Sequence, residues 1–113
     1  MQDRGTIDSF FNAALPLLLS GHKPTWDHFV LTSLPLVHAV VDRALAPVGS
    51  SDDLVADVVQ QVFVRLRANG FRLLREVDPD RSAFSTWLAV VSWSCASAWR
   101  PVAESSFEVR QPA

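Results

Sequence analysis

Ser51-Asp52-Asp53-Leu54-Val55-Ala56-Asp57-Val58-Val59-Gln60-Gln61-Val62-Phe63-Val64-Arg65-Leu66-Arg67-Ala68-Asn69-Gly70 is the stretch that decides the fold. Leu54, Val58, Val62 and Leu66 recur at every fourth position, beside Val55, Val59 and Phe63. That spacing puts them on one face of an α-helix. Ser50 or Ser51 can cap its start, and Asp52 and Asp53 fall in the first turn, where unpaired N–H groups favour negative charge. Arg65 and Arg67 carry the sign that the carbonyl end prefers, and Gly70 supplies a stop. The opposite face carries Asp53, Asp57, Gln60, Gln61, Val64 and Arg65. A polar face of this kind is usually just a solvated one. Val64 among these groups mildly favours a docking surface for a basic partner, but on this face alone the solvated reading stays ahead.

Working outward, the same helical spacing recurs. Upstream, a first helix is predicted over about 7–20, with Thr6 as cap, Gly21 as stop and Pro16 as a kink. A second begins after Pro24, capped by Thr25, with Phe29, Val30, Leu34, Val37, Val40, Val41 and Leu45 as its apolar face. Pro35 is expected to bend or restart it, and Pro47 and Gly49 to end it. Downstream, 71–75 reads as one more helical turn and Asp78-Pro79-Asp80-Arg81-Ser82 as a tight turn. A last helix is predicted over about 83–99, ended by Pro101, with a loose tail over 101–113. No segment alternates strictly enough for a half-buried strand. The fold class is therefore all-α, a compact bundle of about four to five helices.

Composition narrows the function. The chain has 113 residues, a length that suits one domain. At 49% hydrophobic and 19% charged it can form a core, which excludes a mostly disordered chain. One cysteine excludes an internal disulfide framework and a cysteine-rich zinc site, and four glycines exclude a glycine-rich phosphate loop. With a net charge of −2 the chain is not a generally basic nucleic-acid binder, so any DNA contact must be local. The longest apolar run, Ala13 to Leu19, is short of the roughly 20 residues of a membrane span. Asp3, Asp8 and Asn12 argue against a cleaved signal, and a soluble, cytoplasmic chain without membrane contact is expected.

The last helix is unusual. Phe84, Trp87, Leu88, Val91, Cys95 and Trp99 form its core stripe, and Thr86, Val90, Trp93 and Ser97 lie on the other side. No charged residue occurs between Ser82 and Trp99. A surface helix normally carries charges outward, so this one is covered on both sides or meets something apolar.

These residues carry a family resemblance. Ala56 to Leu66 resembles the polymerase-docking helix of bacterial sigma factors, most closely the extracytoplasmic-function class. Asp78 to Val91 is similar to the same class, in which a short turn leads into a helix opening with an aromatic, two spacers and Trp-Leu, here Phe84, Ser85, Thr86, Trp87 and Leu88. Trp26 with Phe29, then Leu34-Pro35-Leu36-Val37, resembles the opening helix of the family's second conserved region. The resemblance implies three parts: a helical extension over 1–24, a sigma second-region-like domain over 25–100, and a tail or linker over 101–113.

It also implies partners. The docking helix would bind the coiled-coil clamp helices of the largest subunit of RNA polymerase, through Asp57, Gln60, Gln61, Val64 and Arg65. The turn and last helix would bind the promoter −10 element as a single strand, with one base flipped into a pocket. The positions that match are Asp80, Arg81, Ser82, Ser85, Thr86, Trp93, Ser94 and Arg100. Hydrogen bonding to a splayed base, aromatic stacking and nearby cations are what such capture requires.

The chain departs from the family in two ways. Trp93 and Ser94 stand where the family usually has a basic residue and an asparagine, and Ala98, Arg100 and Pro101 stand where it has an aspartate and arginines. Lys and Arg supply most sequence-independent affinity for phosphates, so the last helix alone should bind DNA poorly unless Arg72, Arg75 and Arg81 compensate. Charge is polarised as the family uses it: −4 over 26–63 and +2 over 64–81. Fourteen residues follow Trp99, so the resemblance is to the second region alone, without the −35-reading domain. The alternative is a repurposed sigma-like interaction module with little or no DNA binding, held by an anti-sigma-like partner or paired as a homodimer through Trp93 and Val90.

Enzyme readings are weaker. His38 and Asp42 lie four apart, with His28 ten residues earlier, but no cluster completes a metal set. Ser92, Ser94 and Ser97 have no nearby histidine, Asp78 and Asp80 read first as turn residues, and Cys95 lies on a buried stripe. The expectation is a binding protein with no catalytic residue, no metal and no cofactor.

Overall fold

The computed structural model describes the backbone of residues 4–49, 51–78 and 80–110, and the side chains of 5–49, 51–78 and 80–99. It is an all-α bundle: α1 (Arg4–Leu19), α2 (Lys23–Leu45), a single 3-10 turn (Ala46–Val48), α3 (Asp52–Arg75) and α4 (Phe84–Arg110). No strand occurs among the described residues.

α1 closes through two staggered bonds, Gly21 N–H to Leu18 O at 3.1 Å and His22 N–H to Leu17 O at 3.1 Å. This pairing needs a left-handed residue, and Gly21 sits at φ 81°. α2 starts earlier than the predicted Thr25 cap. His22 is the cap residue, and Pro24 in the first turn forfeits no intrahelical bond. Thr25 is instead helical, its Oγ1 lying 2.6 Å from His22 Nδ1. α3 begins as predicted, with Ser51 Oγ accepting the Leu54 N–H at 3.1 Å.

Pro47 and Gly49 close α2 as predicted, but Pro16 and Pro35 neither split nor restart their helices. Pro35 lies inside α2 and Pro16 inside α1. Both are exposed, as are Leu31 and Asn12, whose carbonyls lose their partner, so water can take over. The predicted stop at Pro101 is corrected in the same sense: the backbone of α4 stays helical to Arg110, across most of the stretch expected to be a loose tail.

The interruption near Gly70 is real and sharper than a simple stop. Asn69, Gly70 and Phe71 are all left-handed, at φ 55°, 64° and 62°. Two non-glycine residues in that region are costly. The turn is held because Phe71 is buried and its ring lies 5.8 Å from Trp26. Arg75 adds a clamp: its Nε donates to Gly70 O at 2.8 Å and its NH2 group to Leu19 O at 3.0 Å. One guanidinium thus serves both this turn and the C-terminal carbonyls of α1. Arg75→Ala is expected to cost about 1 kcal/mol, since the bonds are charge-assisted but exposed; chemical denaturation would measure it.

α2 packs against all three other helices. Phe29 is fully buried at the centre of the core, with Phe11, Trp26, Phe63 and Phe84 around it at ring distances of 5.4–6.4 Å. Val37, Val41, Val58, Val62, Leu66 and Leu88 extend the core along the bundle. Leu36 joins it, whereas Leu34, placed on the apolar face by its spacing, is 37% exposed. The stretch Lys23–Val48 is long and apolar enough to span a bilayer by length and composition. Its most apolar face, however, is the centre of the bundle.

Candidate functional site

Asp57, Gln60, Gln61, Val64 and Arg65 sit at successive three- and four-residue steps on α3, and all five are exposed. On the other side of the same helix Val55, Val58, Val59, Val62, Phe63 and Leu66 are buried. The face is therefore a continuous strip, polar except for Val64, which is 51% exposed. Among the described residues the ion pairs are Lys23–Asp27 and Arg72–Glu76, so the charges of Asp57 and Arg65 stay available to a partner.

Beside this strip, α2 and α3 part to form an open groove of about 440 Å³. Val30, Leu34, His38, Val59, Gln60 and Phe63 line it. Leu31, 72% exposed, lies on the same helix as Leu34. Sequence reasoning missed Leu31 and Leu34 as surface groups. The signal was present in the apolar run Phe29 to Leu31, since one helix face cannot bury three consecutive residues.

The second set of residues is more divided. Asp80, Arg81 and Ser82 are exposed in the turn before α4. Asp78 organises that turn: its Oδ1 accepts the Asp80 N–H at 3.0 Å, and its carbonyl accepts the Arg81 N–H at 3.1 Å. Thr86 and Ser94 are exposed and Trp93 is 43% exposed, so they share the outer side of α4 with Val90. Facing them on α2 are Leu36, Ala39, Val40 and Arg43, and the groove between the two helices holds about 350 Å³. The side chain of Arg100 lies outside the described residues.

Ser85 requires a correction. It is 2% exposed and does not stand open beside Thr86. Ala83, the residue before α4, has no side chain able to cap. Asp8 of α1 does the work instead, with Oδ1 accepting the Ser85 N–H at 2.7 Å and Oδ2 accepting the Ser85 hydroxyl at 3.2 Å.

The arginines expected to compensate for the uncharged helix are also largely committed. Arg75 is engaged with two carbonyls, and Arg72 pairs with Glu76 at 3.4 Å. Arg67 lies over the Trp26 ring at 5.6 Å. Arg81 is the one of the three compensating arginines whose guanidinium forms no hydrogen bond or ion pair within the described residues.

The other chemical candidates are separated. His28 is against Phe10, at a ring distance of 4.6 Å, while His38 lines the groove between α2 and α3. No group of three potential metal ligands occurs among the described residues. Ser92 donates to Leu88 O at 2.8 Å and Cys95 is buried.

Comparison with protein-family models, with curated proteins and with solved structures finds no match to this chain.

Proposed function

We propose that this chain is a bacterial, cytoplasmic, sigma-factor-like domain that acts in transcription initiation by binding, without catalysis. The strip of Asp57, Gln60, Gln61, Val64 and Arg65 docks on the clamp helices of the RNA polymerase core. The turn at Asp80, Arg81 and Ser82, with Thr86, Trp93 and Ser94, contacts the unpaired −10 strand. The observation that carries this reading is the exposed strip on α3. All five of its side chains are exposed, Gln60 at the edge of the α2–α3 groove, and it leaves an apolar group, Val64, in water. Interfaces combine such apolar points with a polar rim.

A second reading, an interaction module with little DNA binding, draws support from the same site. Ser85 is closed by Asp8, Arg72 and Arg75 are engaged, and no cation lies between Ser82 and Trp99. Each phosphate contact contributes to a salt slope of about −0.7 for a single strand, so the few cations left imply a shallow one. The test is to titrate the full chain with core polymerase and with a labelled single-stranded −10-like oligonucleotide, across salt. The proposal expects polymerase capture together with weak, salt-sensitive DNA binding. Capture or self-association with no DNA signal would favour the second reading, and no capture at all would overturn both as polymerase ligands.

A further inference from the structure

The groove between α2 and α3 is apolar along its floor and acidic at one end. Trp26 stands by Arg67 and Phe29 by Phe63, so the two helices run antiparallel. Val30, Leu34 and His38 rise along α2 at four-residue steps, with Phe63, Val59 and Ala56 on the other wall. The next such step on α2 is Asp42, which comes to the end of the groove where α3 begins with Asp52 and Asp53. Asp57 follows one turn along α3. All four aspartates are exposed, and none forms an ion pair among the described residues. Asp52 and Asp53 suit the N-terminus of α3. Asp42 does not suit its own helix, because it lies in the last turn of α2, where the carbonyl end disfavours negative charge. Leu31, three residues before Leu34, and Val64, four after Gln60, add exposed apolar groups to the two walls.

We propose that this groove takes a basic amphipathic helix of a partner protein, with its apolar ridge seated between α2 and α3 and its lysines or arginines on the aspartates at the Asp42 end. An open trough between two helices accepts the ridge of a third, held by apolar anchors at three- and four-residue steps. The charge selects among occupants. A second copy would meet this face through a two-fold axis, which brings both sets of aspartates into one interface. An anionic lipid surface is repelled in the same way. A cationic helix is attracted, and complementary potentials speed its encounter and exclude wrong partners. Neither polymerase capture by the α3 strip nor DNA binding by the turn is needed for this docking, although Gln60 belongs to both the strip and the groove.

The test titrates the full chain with labelled synthetic helical peptides. One carries leucines at three- and four-residue steps with lysines between them, a second has glutamates in place of the lysines, and a third is a scrambled form of the first. The leucine–lysine helix is expected to bind about tenfold more tightly than either of the others, the scale of a few buried anchors, and to weaken as salt screens the exposed aspartates. Leu34→Asp should reduce that binding by about tenfold, and Asp42→Asn with Asp53→Asn should flatten its salt dependence. Wild type gives a readout that needs no variant to fold: the amide resonances of Val30, Leu34 and Gln60 should move most on adding the peptide. Equal binding of the lysine and glutamate helices, no binding of any, or resonance changes confined to α1 and α4 would each overturn the proposal. So would sedimentation showing that the free chain pairs and that Leu34→Asp makes it monomeric, since a second copy would then fill the groove. Polymerase capture, measured separately, bears on the α3 strip and leaves the peptide comparison intact.

Discussion

Phe29→Ala is expected to lower stability by about 3–5 kcal/mol, the range for truncating a fully enclosed phenylalanine. Phe29 has no exposed surface and sits among rings from every other helix: Phe11 of α1, Phe63 of α3 and Phe84 of α4. Truncation leaves a cavity that three separate helices would have to move to fill. For a domain of this size the loss corresponds to a melting temperature roughly 15–20 °C lower. Domains of this kind hold only about 5–15 kcal/mol in total, so a sizeable unfolded population should appear at physiological temperature. Thermal melting followed by circular dichroism measures it. A shift of only a few degrees would mean that the bundle is not organised around this ring.

Asp57→Arg is expected to reduce capture of core polymerase at least thirtyfold, the factor that matches a hot-spot loss of about 2 kcal/mol. Asp57 is exposed and forms no ion pair among the described residues, so reversing its charge should disturb the partner and not the fold. Arginine is also the better helix former, so helicity should hold. The paired change Gln60→Ala with Gln61→Ala removes polar contacts from the same strip without changing charge, and is expected to act in the same direction. A pull-down on immobilised core enzyme, with circular dichroism on the same samples, separates binding from folding. Undiminished capture would remove the docking assignment.

What could be read from the residues was local. The Ser51 cap, the break near Gly70 and the outward face of Gln60 and Gln61 follow from periodicity and capping chemistry within a single segment. The helix end placed at Pro101 was misjudged, and the kink at Pro16 and restart at Pro35 did not break their helices, because Pro16 and Pro35 lie on solvent faces, where a freed carbonyl costs little, a circumstance that only packing decides. The pairing of Asp8 with Ser85 and the clamp from Arg75 to Leu19 O were invisible for a different reason. They join positions 77 and 56 residues apart, and no spacing rule within one helix carries that information. The candidate site divided along the same line. The strip on α3 was legible because a single helix builds it, whereas the exposure of Ser85 in the second set depended on what α1 covers.

The union of α1 with the start of α4 has a consequence for biogenesis. A ribosome releases Asp8 77 positions before its partner Ser85, and Phe11 likewise long before Phe84. Until then α1 can pack on α2 and α3 but lacks its partner surface on α4, and no stalled chain shorter than about residue 85 can complete the bundle. The bundle therefore closes only when the start of α4 has joined α1, so its last packing step is a long-range one.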